Sequence, residues 1–167
     1  RLAAWQARGA ARGLAVVPEW ALQARARLAA LGGTRRYAPD DGRTSADVPC
    51  PLDSLYWRSA LLGRAGEFLA AAPVTELALD LELYWGPRHH LDGGACRCDD
   101  CVREYLESTP ASARPADRRR LAGMAGFQEA RLTRLLAGLL REFAARHPGV
   151  RLAVLDLDYD AFPHRAL

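Results

Sequence analysis

The chain has 167 residues, of which half are hydrophobic and 26% are charged. This length allows about one domain, and this balance is typical of a globular protein. No run of about 18 apolar residues is present, which excludes a membrane-spanning helix of the usual length. All 23 basic residues are Arg, but 20 acidic residues are interleaved with them and no nucleic-acid motif accompanies them. We therefore expect neither a nucleic-acid partner nor a membrane partner.

Short apolar strands alternate with amphipathic helices along the chain. Asp53 or Ser54 can cap the second helix, whereas Gly32-Gly33 and Pro73 supply helix stops. In chain order we predict a strand at 14–17, a helix at 20–31, a long polar loop at 34–51, a helix from about 54 to 72, a strand at 74–84, a helix at 102–107, a helix at 117–146 and a strand at 150–158.

This alternation indicates parallel strands covered by helices, which is the α/β class. Links from helix to strand are short, as at Ala72-Pro73, whereas links from strand to helix are long and polar. In parallel α/β folds, the long loops at the carboxyl ends of the strands build the functional site. The sequence therefore places the candidate site at these strand ends and in the loops that follow them.

Two of the strands begin apolar and end in carboxylates at every second position. These carboxylates are Asp80 and Glu82 in one strand, and Asp156 and Asp158 in the other. Alternate strand residues share a face, so the acids of each pair lie close together. Such crowding raises carboxyl pKa values and is usually retained for catalysis or for a cation. The plainer alternative is that these acids pair with Arg residues such as Arg88.

Aromatic residues flank the acidic strand ends, and aromatic rings suit sugars because apolar sugar faces stack on them. Glycoside hydrolysis needs one protonated and one ionised carboxyl group, which neighbouring acids can supply. We predict Glu82 as the general acid/base, with Asp80 and Asp158 assisting catalysis. For the two adjacent histidines, a position in a solvated loop is the alternative to substrate binding. The residues assigned to substrate binding are Glu19, Trp20, Tyr84, Trp85, His89, His90, Asp156 and Tyr159.

Four cysteines form the most specific pattern in the sequence. Cys96, Cys98 and Cys101 are arranged as C-x-C-x2-C, and Cys50 lies in the preceding strand-to-helix loop. If the first two strands are neighbours, four thiolates surround one point, as in a structural zinc site. A disulfide pair, an iron–sulfur cluster and unrelated thiols are the alternatives. Thiolates reserved for zinc favour a reducing cytoplasm, and a secreted location stays open.

A glutamate at a strand end, then an aromatic residue, then C-x-C-x2-C with a fourth Cys upstream, resembles the family 42 glycoside hydrolases. The match covers about residues 50–105 at the level of motifs. It implies a (β/α)8-barrel β-galactosidase fold with zinc on the four cysteines and Glu82 as the acid/base on strand four. The chain departs from that family because Leu81 precedes Glu82 where the family has Asn. The Asp80-Leu81-Glu82 ending also resembles the D-x-E of family 18 chitinase-like barrels.

The pattern and the resemblance together predict that residues 1–167 are about three units, strands 3–5, of a TIM (β/α)8 barrel. The rest of the barrel would lie beyond both termini, because the chain starts at Arg1 and stops soon after a strand. The expected activity is hydrolysis of an O-glycosidic bond in a carbohydrate substrate, with the nucleophile outside this chain. Two other classes stay open: a non-catalytic carbohydrate-binding barrel, and a hydrolase using a divalent cation held by Asp80, Glu82, Asp156 and Asp158.

Overall fold

Three parallel strands form one sheet in the computed structural model, in the order β1-β2-β3. They are β1 (Glu19–Ala21), β2 (Glu76–Asp80) and β3 (Arg151–Leu155). The structure describes residues 2–21, 35–38, 49–72, 74–80, 95–110, 121 and 123–155. The apolar residues at the centre of β2 are buried, as expected of a central strand in a parallel sheet.

The register of the strands brings their carboxyl ends level with one another. Ala21 lies opposite Asp80, and Asp80 lies opposite Leu155. At the other end, the register partners Glu76 and Arg151 form an ion pair with an N···O distance of 2.9 Å. The carboxyl ends of the three strands thus share one edge of the sheet.

Helices connect the strands and begin close to the positions that the sequence indicates. Asp53 caps the second helix as predicted, since its side chain accepts hydrogen bonds from the N–H groups of Leu55 and Tyr56 at 3.0 and 3.1 Å. Within the described segments, none of the helices combines the length and the hydropathy that crossing a bilayer requires. The helical elements are α1 (Leu2–Ala10), α2 (Ser54–Trp57), a π-helical stretch (Arg58–Arg64), α3 (Ala65–Ala71), α4 (Asp99–Ser108) and α5 (Met124–Arg146).

The hydrophobic core joins β2 to the helices on either side of it in sequence. Trp57 and Leu61 are almost fully buried within it. Helix α5 contributes a buried apolar stripe with helical spacing, which confirms the predicted periodicity. The cluster also takes in three of the four cysteines, so these thiols belong to the packed core. The buried apolar stripe of α5 comprises Leu132, Leu136, Leu139 and Phe143.

The first strand differs from the prediction, which placed it at 14–17 and started a helix at Trp20. Leu14 and Val17 are exposed, and the strand is β1, which includes Trp20. The reason is the end of α1, where the Leu14 N–H donates to the carbonyl of Gly9 at 2.9 Å and Gly13 adopts a φ of 69°. This is the helix C-cap pattern that favours glycine. It uses the residues that the apolar run assigned to a strand.

The prediction of about three units of a TIM (β/α)8 barrel is wrong. In the described part of the chain the sheet is open, because β1 and β3 each pair with β2 alone. A barrel of that kind needs eight strands, each with two neighbours. Alternating strands and helices with short return links are common to every parallel α/β layer. The sequence pattern therefore carried no information about closure of the sheet.

Candidate metal centre

Four cysteine sulfurs converge at one point beneath the loops that precede α2 and α4. All four Sγ atoms lie within 4.8 Å of one another. The Sγ of Cys50 lies 3.3 Å from that of Cys101 and 3.8 Å from that of Cys98. Cys50, Cys96 and Cys101 are buried, Cys98 is partly exposed, and none of the four forms a disulfide. The cluster is the group of four soft ligands that the sequence predicts, and it could hold a metal ion such as zinc.

Local backbone hydrogen bonds place Cys50 at the start of α2. The Cys50 N–H donates to the carbonyl of Arg35 at 3.0 Å, and the Cys50 carbonyl accepts from the N–H of Asp53 at 3.0 Å. An isolated antiparallel bridge between Arg36 and Pro49 brings the same two segments together. The segment at 35–38 therefore forms one wall of the cluster, beside the loop that carries Cys50.

The other three cysteines are positioned by α4 and α5. Cys98 is the N-cap of α4 and Cys101 lies in its first turn, where the helix dipole favours a thiolate. Cys96 is held by Gln128 of α5, whose buried amide pairs with both the N–H and the carbonyl of Cys96. The C-x-C-x2-C motif therefore approaches Cys50 because a helix start and a buried glutamine fix its backbone.

Crowding of the four thiols divides them into two classes. The contact with the Cys101 sulfur raises the pKa of Cys50 above its ordinary value. Contact with Cys50 acts to lower the pKa of Cys101, but the contacts with Cys96 and Cys98 leave it raised. The hydrogen bonds that Cys96 and Cys98 accept from Cys101 lower the pKa of both. Four thiols this close cannot all ionise without a cation, because neighbouring thiolates repel one another.

A single arginine contacts the cluster through its guanidinium group. Nη2 of Arg35 lies 3.3 Å from the Sγ of Cys101 and 3.9 Å from that of Cys98. The same side chain forms ion pairs with Asp100 and Glu104, at 3.2 and 2.8 Å. Burial acts to lower the pKa of Arg35, but the attraction of Cys50 and Cys101 outweighs it and leaves the pKa raised. Arg35 is therefore a permanent cation at the edge of the sulfur cluster.

Three of the other predicted site residues lie in the described strands. Asp80 ends β2, while Glu19 and Trp20 lie in β1. The register places Asp80 opposite Ala21, so Glu19 lies two residues back from the carboxyl edge. The predicted residues that lie outside the described part of the chain are Glu82, Tyr84, Trp85, His89, His90, Asp156, Asp158 and Tyr159.

Two residues that contact the cluster carried no signal in the sequence. Arg35 is one of 23 arginines, and its partner Cys101 lies 66 positions later. Gln128 is a polar residue inside the apolar stripe of α5, and its partner Cys96 lies 32 positions earlier. A weak signal existed for Gln128, because a buried glutamine in a helix needs hydrogen-bond partners.

Relatives provide no further guide to the centre. Comparison with protein-family models, with curated proteins and with solved structures finds no match to this chain. The case for a function therefore depends on the four cysteines and on the side chains that contact them.

Proposed function

We propose that Cys50, Cys96, Cys98 and Cys101 bind one Zn²⁺ ion that has a structural role. The observation that carries the proposal is the convergence of four sulfurs within 4.8 Å of one another. In a tetrahedral site with Zn–S bonds of about 2.3 Å, the sulfurs lie about 3.8 Å apart. The described distances of 3.3 and 3.8 Å lie close to that value. The fit is to a single ion.

The alternatives of the sequence fit this geometry less well. An iron–sulfur cluster would separate its cysteine ligands more widely than one ion does, because several iron and sulfide atoms lie between them. A disulfide would use two sulfurs and leave two buried thiols, whereas here all four are free and share one position. Zn²⁺ tolerates a closed shell of four thiolates and has no redox chemistry that the shell must support.

A structural role follows from the coordination number and from the segments that the ion would join. Four protein ligands leave no open position for a substrate or a water molecule. The ligands come from the loop before α2 and from the segment 96–101, which are held together by only a few side chains and backbone hydrogen bonds. An ion bonded to both would fix α4 against the core.

Metal analysis of the purified chain tests the proposal. We expect one zinc per chain, retained through gel filtration, and a tetrahedral thiolate spectrum when Co²⁺ replaces zinc. Serine at any one of the four cysteines should abolish stoichiometric binding. Asp99→Asn is the matched control, because Asp99 is an exposed carboxylate between two ligands. A chain that binds no zinc, or one that loses zinc with Asp99→Asn but not with Cys50→Ser, would contradict the proposal.

Glycoside hydrolysis is the second candidate function, and the strand register supports it. The carboxyl ends of β2 and β3 share one edge, with Asp80 opposite Leu155. Asp156 follows Leu155 directly in sequence, and Glu82 follows Asp80 by two positions. Carboxylates grouped in this way suit an acid/base reaction on a sugar. In this proposal Glu82 is the general acid/base, and the zinc ion takes no part in the chemistry.

The test of this second function is turnover of a panel of aryl glycosides by the full-length protein, with Glu82→Gln beside it. We expect loss of hydrolysis in the variant and unchanged zinc content. Unchanged hydrolysis in Glu82→Gln would contradict the assignment. Glycan binding without turnover would favour a carbohydrate-binding role. Loss of activity with a chelator that leaves the cysteine site loaded would favour a divalent-cation hydrolase.

A further inference from the structure

Arg35 is held in place from three directions. Its backbone N–H donates to the carboxylate of Asp53 at 2.5 Å, and its carbonyl accepts from the N–H of Cys50 at 3.0 Å. Its side chain, which is 21% exposed, forms ion pairs with Asp100 and Glu104. These two acids are four residues apart in α4 and so lie on one face of that helix. The guanidinium therefore has a fixed orientation rather than that of a free surface arginine.

The acids that orient Arg35 have other cations as partners. Asp100 also pairs with Arg103 at 2.6 Å, and Glu104 also pairs with Arg131 at 3.3 Å. Because these outer arginines offset the two carboxylates, the charge of Arg35 is available to the sulfurs. Its Nη2 donates toward Cys101 at 3.3 Å, which is the shortest contact between a cation and the cluster among the described side chains.

A zinc ion with four thiolates carries an excess of roughly two negative charges. Burial of such a charge is costly unless donors or cations stabilise it. Cys101 is fully buried, so solvent cannot supply that stabilisation at its sulfur. A guanidinium supplies both requirements, a positive charge and N–H donors in a fixed fork.

We propose that Arg35 is a positioning residue of the zinc site: it neutralises part of the thiolate charge and donates N–H···S hydrogen bonds that hold Cys101 and Cys98 ready for the metal. This inference rests on the proposed zinc function. It assigns to Arg35 a role in affinity and in the electronic state of the sulfurs, although Arg35 is not itself a ligand.

The test compares wild type, Arg35→Gln and Arg35→Lys by competition with a chromophoric chelator and by spectroscopy of the Co²⁺-loaded chain. For Arg35→Gln we expect one bound zinc, with affinity reduced roughly 10- to 100-fold, the usual effect of losing an outer partner of a metal ligand. The sulfur-to-cobalt charge-transfer band should shift to longer wavelength, because sulfur lone pairs that lose a hydrogen bond rise in energy. Arg35→Lys should recover part of the affinity because it keeps the charge.

Arg131→Gln is the matched control, since it removes the same charge from the same network but contacts Glu104. We expect it to leave zinc affinity and the cobalt spectrum unchanged. Wild-type affinity and an unshifted band in Arg35→Gln would overturn the role of Arg35 while leaving the zinc function intact. If Arg35→Gln does not fold, an unshifted band in Arg35→Lys overturns the role in the same way. A wild-type chain that binds no zinc would overturn both proposals.

Discussion

Gln128 of α5 pairs with the backbone of Cys96 through both ends of its amide. Its Oε1 accepts from the Cys96 N–H at 2.9 Å, and its Nε2 donates to the Cys96 carbonyl at 2.6 Å. The glutamine is 6% exposed, and Cys96 is 1% exposed. Buried backbone groups require partners, and here a side chain 32 residues away provides them. This pair connects the metal loop to the longest helix of the described chain.

Replacing Gln128 by Leu should destabilise the zinc-loaded protein. The side chain keeps a similar volume, but the N–H and carbonyl of Cys96 lose their partners, at a cost of roughly 1–3 kcal/mol for each buried group. Zinc affinity should fall as well, because Cys96 is no longer held near the other sulfurs. Denaturant unfolding of the zinc-loaded chain measures the first effect, and chelator competition measures the second.

Glu129→Gln serves as the control for this substitution, because Glu129 is the exposed neighbour of Gln128 in α5. Surface changes of this kind alter stability by about 0.5 kcal/mol or less. Equal unfolding midpoints for Gln128→Leu and Glu129→Gln would show that the paired amide contributes nothing.

Asp53 should contribute more to stability than an ordinary helix cap. Its carboxylate accepts the N–H groups of Leu55, Tyr56 and Arg35, and the residue is 4% exposed. Loss of a cap alone costs about 0.5–2 kcal/mol. Asp53→Ala should exceed the middle of that range and also weaken zinc binding, because the Arg35 segment loses an anchor beside Cys50.

Two companion variants separate the contributions of Asp53. Asn is as good a cap as Asp, so Asp53→Asn should retain most of the stability. Ser54→Ala changes the exposed adjacent residue and should leave unfolding nearly unchanged. If Asp53→Ala behaved like Ser54→Ala in thermal or denaturant unfolding, the carboxylate would have no structural role.

The four ligands could be predicted from the sequence because the C-x-C-x2-C spacing is local and because β1 and β2 are parallel neighbours. Those two facts bring Cys50 to the loop that holds Cys96. Arg35 and Gln128 could not be predicted, since hydrogen bonds across 66 and 32 positions leave no local pattern. The same limit explains the error about the barrel. Closure of a sheet is decided by pairing between distant strands, whereas helix and strand periodicity is decided within a few residues.

Removal of the metal should loosen the protein locally. The ion would join the segments 49–53 and 95–101 and the start of α4, whereas the buried residues of β2 and α5 pack on one another in the hydrophobic core. Regions with few apolar contacts open first. We therefore expect chelation to increase amide hydrogen exchange in 35–38, 49–53 and 95–108, with a smaller increase in 76–80 and 132–143. Mass spectrometry of the exchanged peptides measures this, and a uniform increase over all peptides would contradict a local role.

Zinc binding should release about two protons per chain near neutral pH. The pKa of Cys50 and of Cys101 is raised in the metal-free cluster, so these thiols hold their protons, whereas the pKa of Cys96 and of Cys98 is lowered, so they are already thiolates. Zinc must displace the two remaining protons. Apparent affinity should therefore rise with pH and fall, by roughly 100-fold per pH unit, as the solution becomes more acidic.

Calorimetry in buffers of different ionisation enthalpy counts these protons. A count near four would mean that all the thiols are protonated before binding, and a count near zero would mean that all are ionised. Either result would contradict the division of the cluster into two classes. A Cys50→Ser chain should release fewer protons than wild type, because the serine hydroxyl does not ionise in this range, whereas Asp99→Asn should release the same number.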